Sequence, residues 1–160
     1  MDCRIARLEL RHGDTPLSPD TLACEQRAAL HDLLATSHFK PLNDNTGPYD
    51  VTLAVADARL VVAIRNAAQA DLSTLVLSLK PYRRVIDDYF LMIRSFEDAR
   101  RTAAPCKLEA IDMGRRGLHN EGAELLVNRL ADKVEIDFET ARRLFTLICA
   151  LHRDQIRTLG

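Results

Sequence analysis

The chain has 160 residues, 47% of them hydrophobic and 28% charged, which is about one domain's worth of sequence with enough apolar side chains to bury a core and so excludes intrinsic disorder. Its 22 basic and 23 acidic side chains leave a formal charge of −1, which excludes binding to nucleic acid or acidic lipid by bulk charge alone. No apolar stretch reaches the roughly 18 residues of a membrane helix, and MDCRIARLELRHGD carries charges where a signal peptide needs an apolar run, so the expectation is a soluble cytoplasmic protein with no membrane contact.

Ile5, Leu8 and Leu10 before His12-Gly13-Asp14 read as a first strand and its turn. Ser18 followed by Pro19 is a good helix start, because a hydroxyl caps free amides and proline is tolerated at the first helical position. Leu22, Ala29, Leu30, Leu33 and Leu34 then repeat at helical spacing until Pro41 forbids continuation, giving a helix over roughly 19–37. Asn43 to Pro48 is a turn-rich connector. After it Val51, Leu53 and Val55 alternate with polar or small residues; Leu60, Val62 and Ile64 do so with Val61 intervening, and Leu75, Leu77 and Leu79 with Val76 intervening. This spacing predicts a three-strand antiparallel meander joined at one edge by the first strand, with the later strands partly covered on both faces.

From Pro81 the period becomes 3.6, with Tyr82, Val85, Ile86, Tyr89, Phe90, Ile93 and Phe96 on one stripe of a helix ending near Ala104-Pro105. The stripe is expected to be core against the sheet, while Arg83/Asp87, Arg84/Asp88, Arg94/Asp98 and Glu97/Arg101 are placed to pair on the opposite face. A further helical region runs from Lys107 to about Ala131, then a short extended piece around Val134 and Ile136, then a last helix capped by Asp137. The order predicts one α+β domain, a small antiparallel sheet covered by helices, with a mostly helical second half. Cys3, Cys24, Cys106 and Cys149 have no zinc-site spacing and are expected as reduced, unpaired thiols.

The run IDMGRRGLHNEGAELL from Ile111 to Leu126 breaks local rules. Gly114, Gly117 and Gly122 each cost about 1 kcal/mol in a helix interior relative to alanine. Two geometries are open. In an unbroken helix, Arg115 and Gly122 fall on the apolar arc of Leu108, Ile111, Leu118, Leu125 and Leu126, with Asp112 and His119 at its edge. Those polar side chains would then have to bond one another or face a polar pocket. If the helix instead stops at Gly114 or Gly117 and restarts with Asn120 as cap and Glu121 in its first turn, then Arg115, Arg116 and His119 line a loop beside free amides, an arrangement that suits an anion. Asp112, Arg115, Arg116, His119, Asn120 and Glu121 are therefore the candidate ligand-binding residues in either case.

No phosphate-binding glycine loop, dinucleotide fingerprint, nucleophile elbow or calcium loop is present. His119 lacks a His or Glu three or four residues away, so no metal is expected there, and nothing in the sequence identifies a cofactor. Four Arg-Arg pairs, at 83/84, 100/101, 115/116 and 142/143, all lie in the second half. With no tryptophan and 5% aromatics, a base-stacking surface is poorly supplied and nucleic acid is disfavoured as a partner.

The Ile111 to Leu126 run, together with VEIDFETARRLFTLICALH at Val134 to His152 and FKPL at Phe39 to Leu42, resembles a family of small bacterial proteins, uncharacterised protein family 0262. The resemblance covers most of the chain in length and order. It implies a soluble bacterial cytoplasmic protein and transfers no activity, substrate or catalytic residue. Two functions of different class follow: a non-enzymatic binding or regulatory module that meets a protein partner through its helical second half, or a small enzyme or anionic-ligand-binding protein with its site at Asp112 to Glu121.

Overall fold

The computed structural model describes residues 2–11, 20–102 and 105–159, and among them the side chains of 2–11, 25–101 and 109–152. The predicted turn at His12-Gly13-Asp14, the Ser18-Pro19 helix start and the side chains of Leu22, Cys24, Cys106, Lys107 and Leu108 lie outside the described residues.

Strand β1 (Ile5–Arg11) is followed by helix α1 (Asp20–Ala35), a short strand β2 (Phe39–Pro41) and the meander β3 (Tyr49–Ala56), β4 (Arg59–Asn66) and β5 (Asp71–Ser78). A single 3-10 turn at Lys80–Tyr82 leads into α2 (Arg83–Thr102), then come α3 (Pro105–Leu130), β6 (Val134–Ile136) and α4 (Phe138–Leu159). The main sheet has the order β1-β3-β4-β5, and β2 pairs with β6 in a second, two-stranded sheet. The fold is α+β, as the order of elements predicts.

The meander is antiparallel, but β1 runs parallel to β3, so the sheet is mixed rather than wholly antiparallel. The cause is α1: a strand, a helix and a neighbouring strand in succession form a crossover, and a crossover returns the chain in the same direction. The β2–β6 pair was half foreseen, since Val134 and Ile136 read as extended while Phe39–Pro41 did not. Phe39 faces Ile136 and Pro41 faces Val134, and all four are buried.

One face of the sheet holds Tyr49, Val51, Leu53 and Val55 of β3 and Leu60, Val62 and Ile64 of β4, all buried. Helices α1 and α4 lie on it, and α3 packs between α4 and α2. The other face carries Arg7, Glu9, Thr52, Ala54, Ala63, Arg65 and Thr74 and is open. The expectation that the later strands are partly covered on both faces holds for Val61, which is half-buried, but not for its cross-strand partner Val76, which is 57% exposed on the outer strand with no described helix over it. The α2 stripe is core, with Tyr82, Val85, Ile86, Tyr89 and Ile93 buried, although α2 rests chiefly on α3 rather than on the sheet. Of the four predicted pairs on its outer face, Arg84 Nη1 meets Asp88 at 3.1 Å.

Over its described side chains helix α4 is deeply buried, with Ala141, Leu144, Phe145 and Leu147 to Leu151 all in the core. Asp137 caps it as expected, accepting from Thr140 N–H at 2.9 Å. Cys149 is a buried free thiol and Cys3 a half-buried one. No helix among the described residues is long and apolar enough to cross a membrane.

Candidate functional site: an arginine-lined cleft between four helices

Residues 111–126 form part of one unbroken helix, α3. The helix-loop-helix alternative is therefore excluded, and with it the roles of Asn120 as a cap and of Glu121 in a first turn. Contacts across helices offset the glycine cost. A methyl at Gly122 would collide with the ring of Phe145 on α4, and one at Gly114 with the end of Met92 on α2, so both glycines mark close approach. Gly117 faces open space.

An unbroken helix requires that Arg115, at the edge of the buried face, finds a partner. It finds two carboxylates: Arg115 Nη1 pairs with Glu25 of α1, and Nη2 pairs with Asp112 one turn away. The Arg115 and Glu25 side chains are 22% and 15% exposed, so the pair is only partly screened by water. The remaining oxygen of Glu25 accepts from Tyr89 Oη at 3.0 Å and lies 3.8 Å from His119 Nε2. His119 Nε2 also lies 3.4 Å from Thr146 Oγ1 of α4, and its ring stacks at a tilt on Tyr89, 5.1 Å between centroids. The Arg115 guanidinium stands 5.9 Å from the centre of the Phe96 ring, a cation–π geometry. One carboxylate thus joins side chains from α1, α2 and α3, and His119 extends the network to α4.

The network sets the charge state of the histidine. Burial, aided by the cationic Arg115 and Arg142, pulls His119 down to about 4. The Glu25 carboxylate does not reverse this because Arg115 already neutralises it. His119 is neutral at pH 7. Burial likewise pushes the Tyr89 phenol well above its usual range, so it remains a donor.

Above this floor opens a cleft of about 560 Å³ lined by Arg100, Arg115, Arg142 and Arg143, with Glu25, Asp32 and Glu139 facing them. Glu139 lies 3.2 Å from Arg142 and 3.9 Å from Arg143, and Asp32 lies 3.9 Å from Arg143. Arg100 is exposed and has no ion-pair partner among the described residues. The Nε groups of Arg115 and Arg142 are buried without a hydrogen-bond partner. Three of the four Arg-Arg pairs therefore send at least one member toward this cluster, whereas Arg84 pairs away from it with Asp88 and Glu121.

Of the six sequence candidates, Asp112, Arg115 and His119 come together. Arg116 reaches Asp112 at 3.1 Å but points outward, 68% exposed. Asn120 is exposed away from the network, and Glu121 is held by Arg84. The sequence reading missed Glu25, Tyr89 and Thr146 on the floor and Arg100, Arg142 and Arg143 on the walls. Glu25 had a signal: it stands four residues before the buried Ala29 and eight before the buried Leu33, on the stripe α1 turns inward. Among the described residues no group of three His, Cys, Asp or Glu side chains is placed to hold a metal ion.

Residues 2–154 match the family described as Uncharacterised protein family (UPF0262). A UPF0262 protein of Brucella anthropi is 48% identical over 152 residues, 94% of each chain. One from Mesorhizobium japonicum is 49% identical over 150 residues, 93% of this chain and 92% of its own, and one from Hyphomonas neptunium is 50% identical over 136 residues, 85% and 84%. No solved structure matches. With a match over nearly its whole length and bacterial relatives at about half identity, the chain belongs to the uncharacterised protein family UPF0262.

Proposed function

We propose that this protein is a soluble, cytoplasmic binding module for a small anionic ligand, a carboxylate or a phosphate, taken into the cleft between α1, α2, α3 and α4. The observation that carries this reading is the convergence of four guanidiniums on one cleft, with the facing carboxylates already engaged by three of them and Arg100 left without one among the described residues. Guanidiniums present paired donors that match carboxylate and phosphate oxygens, and a neutral His119 adds a polar group at the floor without adding charge. Asp112 and Glu25 position Arg115, and Arg100, Arg142 and Arg143 provide the contacts. The site draws on the helical second half, in keeping with a module that works through that half.

The test is thermal unfolding of the full chain with inorganic phosphate, malonate, or chloride at matched ionic strength. A ligand at about 100 times its dissociation constant stabilises by roughly 2.7 kcal/mol. Phosphate or malonate should raise the midpoint of wild type, and Arg100→Gln and Arg143→Gln should lose that increase, each read against its own midpoint without ligand. Equal stabilisation of wild type and both variants, or none beyond chloride, rejects the cleft as a ligand site.

A further inference from the structure

The two edges of the main sheet differ in chemistry. Along β1, Arg7, Glu9 and Arg11 supply the charges that commonly keep an edge strand from pairing with another chain. Along β5 the only charge is on its first residue, Asp71: from Leu72 to Leu79 the sequence reads LSTLVLSL, without a charge or a proline. Among the described residues strand β5 pairs with β4 alone, so its outer row of backbone donors and acceptors has no strand partner there. Val76 is 57% exposed on it. Alongside runs a groove of about 670 Å³ between β5 and the wall formed by Pro41, Leu42, Arg129 and Lys133. Leu42 on that wall is 47% exposed.

The ends of the strand identify what covers it. Asp71, 83% exposed, opens β5 and holds Arg65 at 2.7 Å through one oxygen, leaving the other for a second cation. Lys80, also exposed, stands just past the other end. If two copies pair antiparallel about a two-fold axis near Val76, Asp71 of each lies by Lys80 of the other, twice. Parallel pairing sets like charge beside like. In the antiparallel arrangement side chains facing one another share a sheet face, so Leu75 and Leu77 of the second copy come over the groove beside Leu42, and Val76 meets Val76 on the open face. We infer that the free edge of β5 is a homodimer interface, two copies pairing antiparallel to make one continuous eight-stranded sheet.

Light scattering on the eluting full chain and sedimentation equilibrium test this. Wild type should show twice the 18.0 kDa chain mass. Val76→Lys sets two ammoniums together at the axis and should give a monomer with unchanged circular dichroism. Lys80→Asp turns two attractions into repulsions and should raise the dissociation constant about tenfold, and adding Asp71→Lys to the same chain should restore it. A monomeric wild type, including one whose β5 is covered by a different protein, overturns the inference. So does a dimer that survives Val76→Lys, or a loss on Lys80→Asp that the double reversal does not repair.

Discussion

At the scale of single residues, His119 is the most consequential. Its folded form resists protonation until about pH 4, whereas an unfolded histidine takes its proton near 6.5. Below 6.5 the unfolded chain therefore binds more protons at this position, and stability falls as pH drops from about 6.5 toward 4. Between pH 7 and pH 5 the loss from this one group is about 2 kcal/mol. Urea midpoints of wild type and His119→Gln at the two pH values should show a smaller acid-induced drop in the variant by about that amount. An identical drop in both would mean that the histidine titrates normally. The histidine, Asp112 and Arg115 were legible in the sequence, because charged groups on an apolar arc must be satisfied. Their main partner was not, because Glu25 lies 90 positions from Arg115, and no local spacing links them. Only the packing of α1 against α4 and α2 brings the carboxylate to the guanidinium.

At the scale of elements, α3 shows how a helix tolerates what its propensities oppose. Its three glycines are not equivalent, and substitution should separate them. Gly117→Ala meets open space and should stabilise by up to about 1 kcal/mol, the helix propensity gain. Gly122→Ala drives a methyl into the buried Phe145 ring and should cost about 1–3 kcal/mol through overpacking. Gly114→Ala meets a flexible methionine and should fall between. Thermal or urea unfolding of the three variants checks the order, and a destabilising Gly117→Ala would overturn this account of the helix. Periodicity sufficed to place α2, α4 and the meander, whose apolar repeats are long and regular. It left open whether residues 111–126 were one helix or two, since the deciding contacts come from Met92 and Phe145 on other elements. It also missed β2, three residues that become a strand only because β6 lies alongside, and the parallel direction of β1, which follows from the crossover rather than from any residue in the strand.

At the scale of the whole molecule, a nearly neutral chain concentrates four arginines on one cleft. On the proposed function, attraction of an anion is a short-range property of the cleft rather than of the overall field. Because its walls are partly open to water, phosphate affinity should weaken as sodium chloride rises toward 1 M, where the screening length falls to about 3 Å. Calorimetric titration at low and high salt measures this, and affinity unchanged by salt would argue for an apolar mode of binding. The partial charge separation between the halves, −3 over residues 1–79 and +2 over 80–160, resolves in the fold: Glu25 and Asp32 of the first half face the arginines of the second.

Helix α4 touches the sheet, α1 and α3, yet it follows every other described element along the chain. A ribosome making this protein releases the sheet, α1 and the α2–α3 hairpin before the helix that covers them. Until Phe138 onward emerges, the apolar side of Val51, Leu53, Leu60 and Val62 has no complete cover. The growing polypeptide therefore waits with an unfinished interior and closes in one late step. A transcript truncated before Asp137 should accordingly yield a product that chaperones retain and proteases clear, however well its earlier segments form.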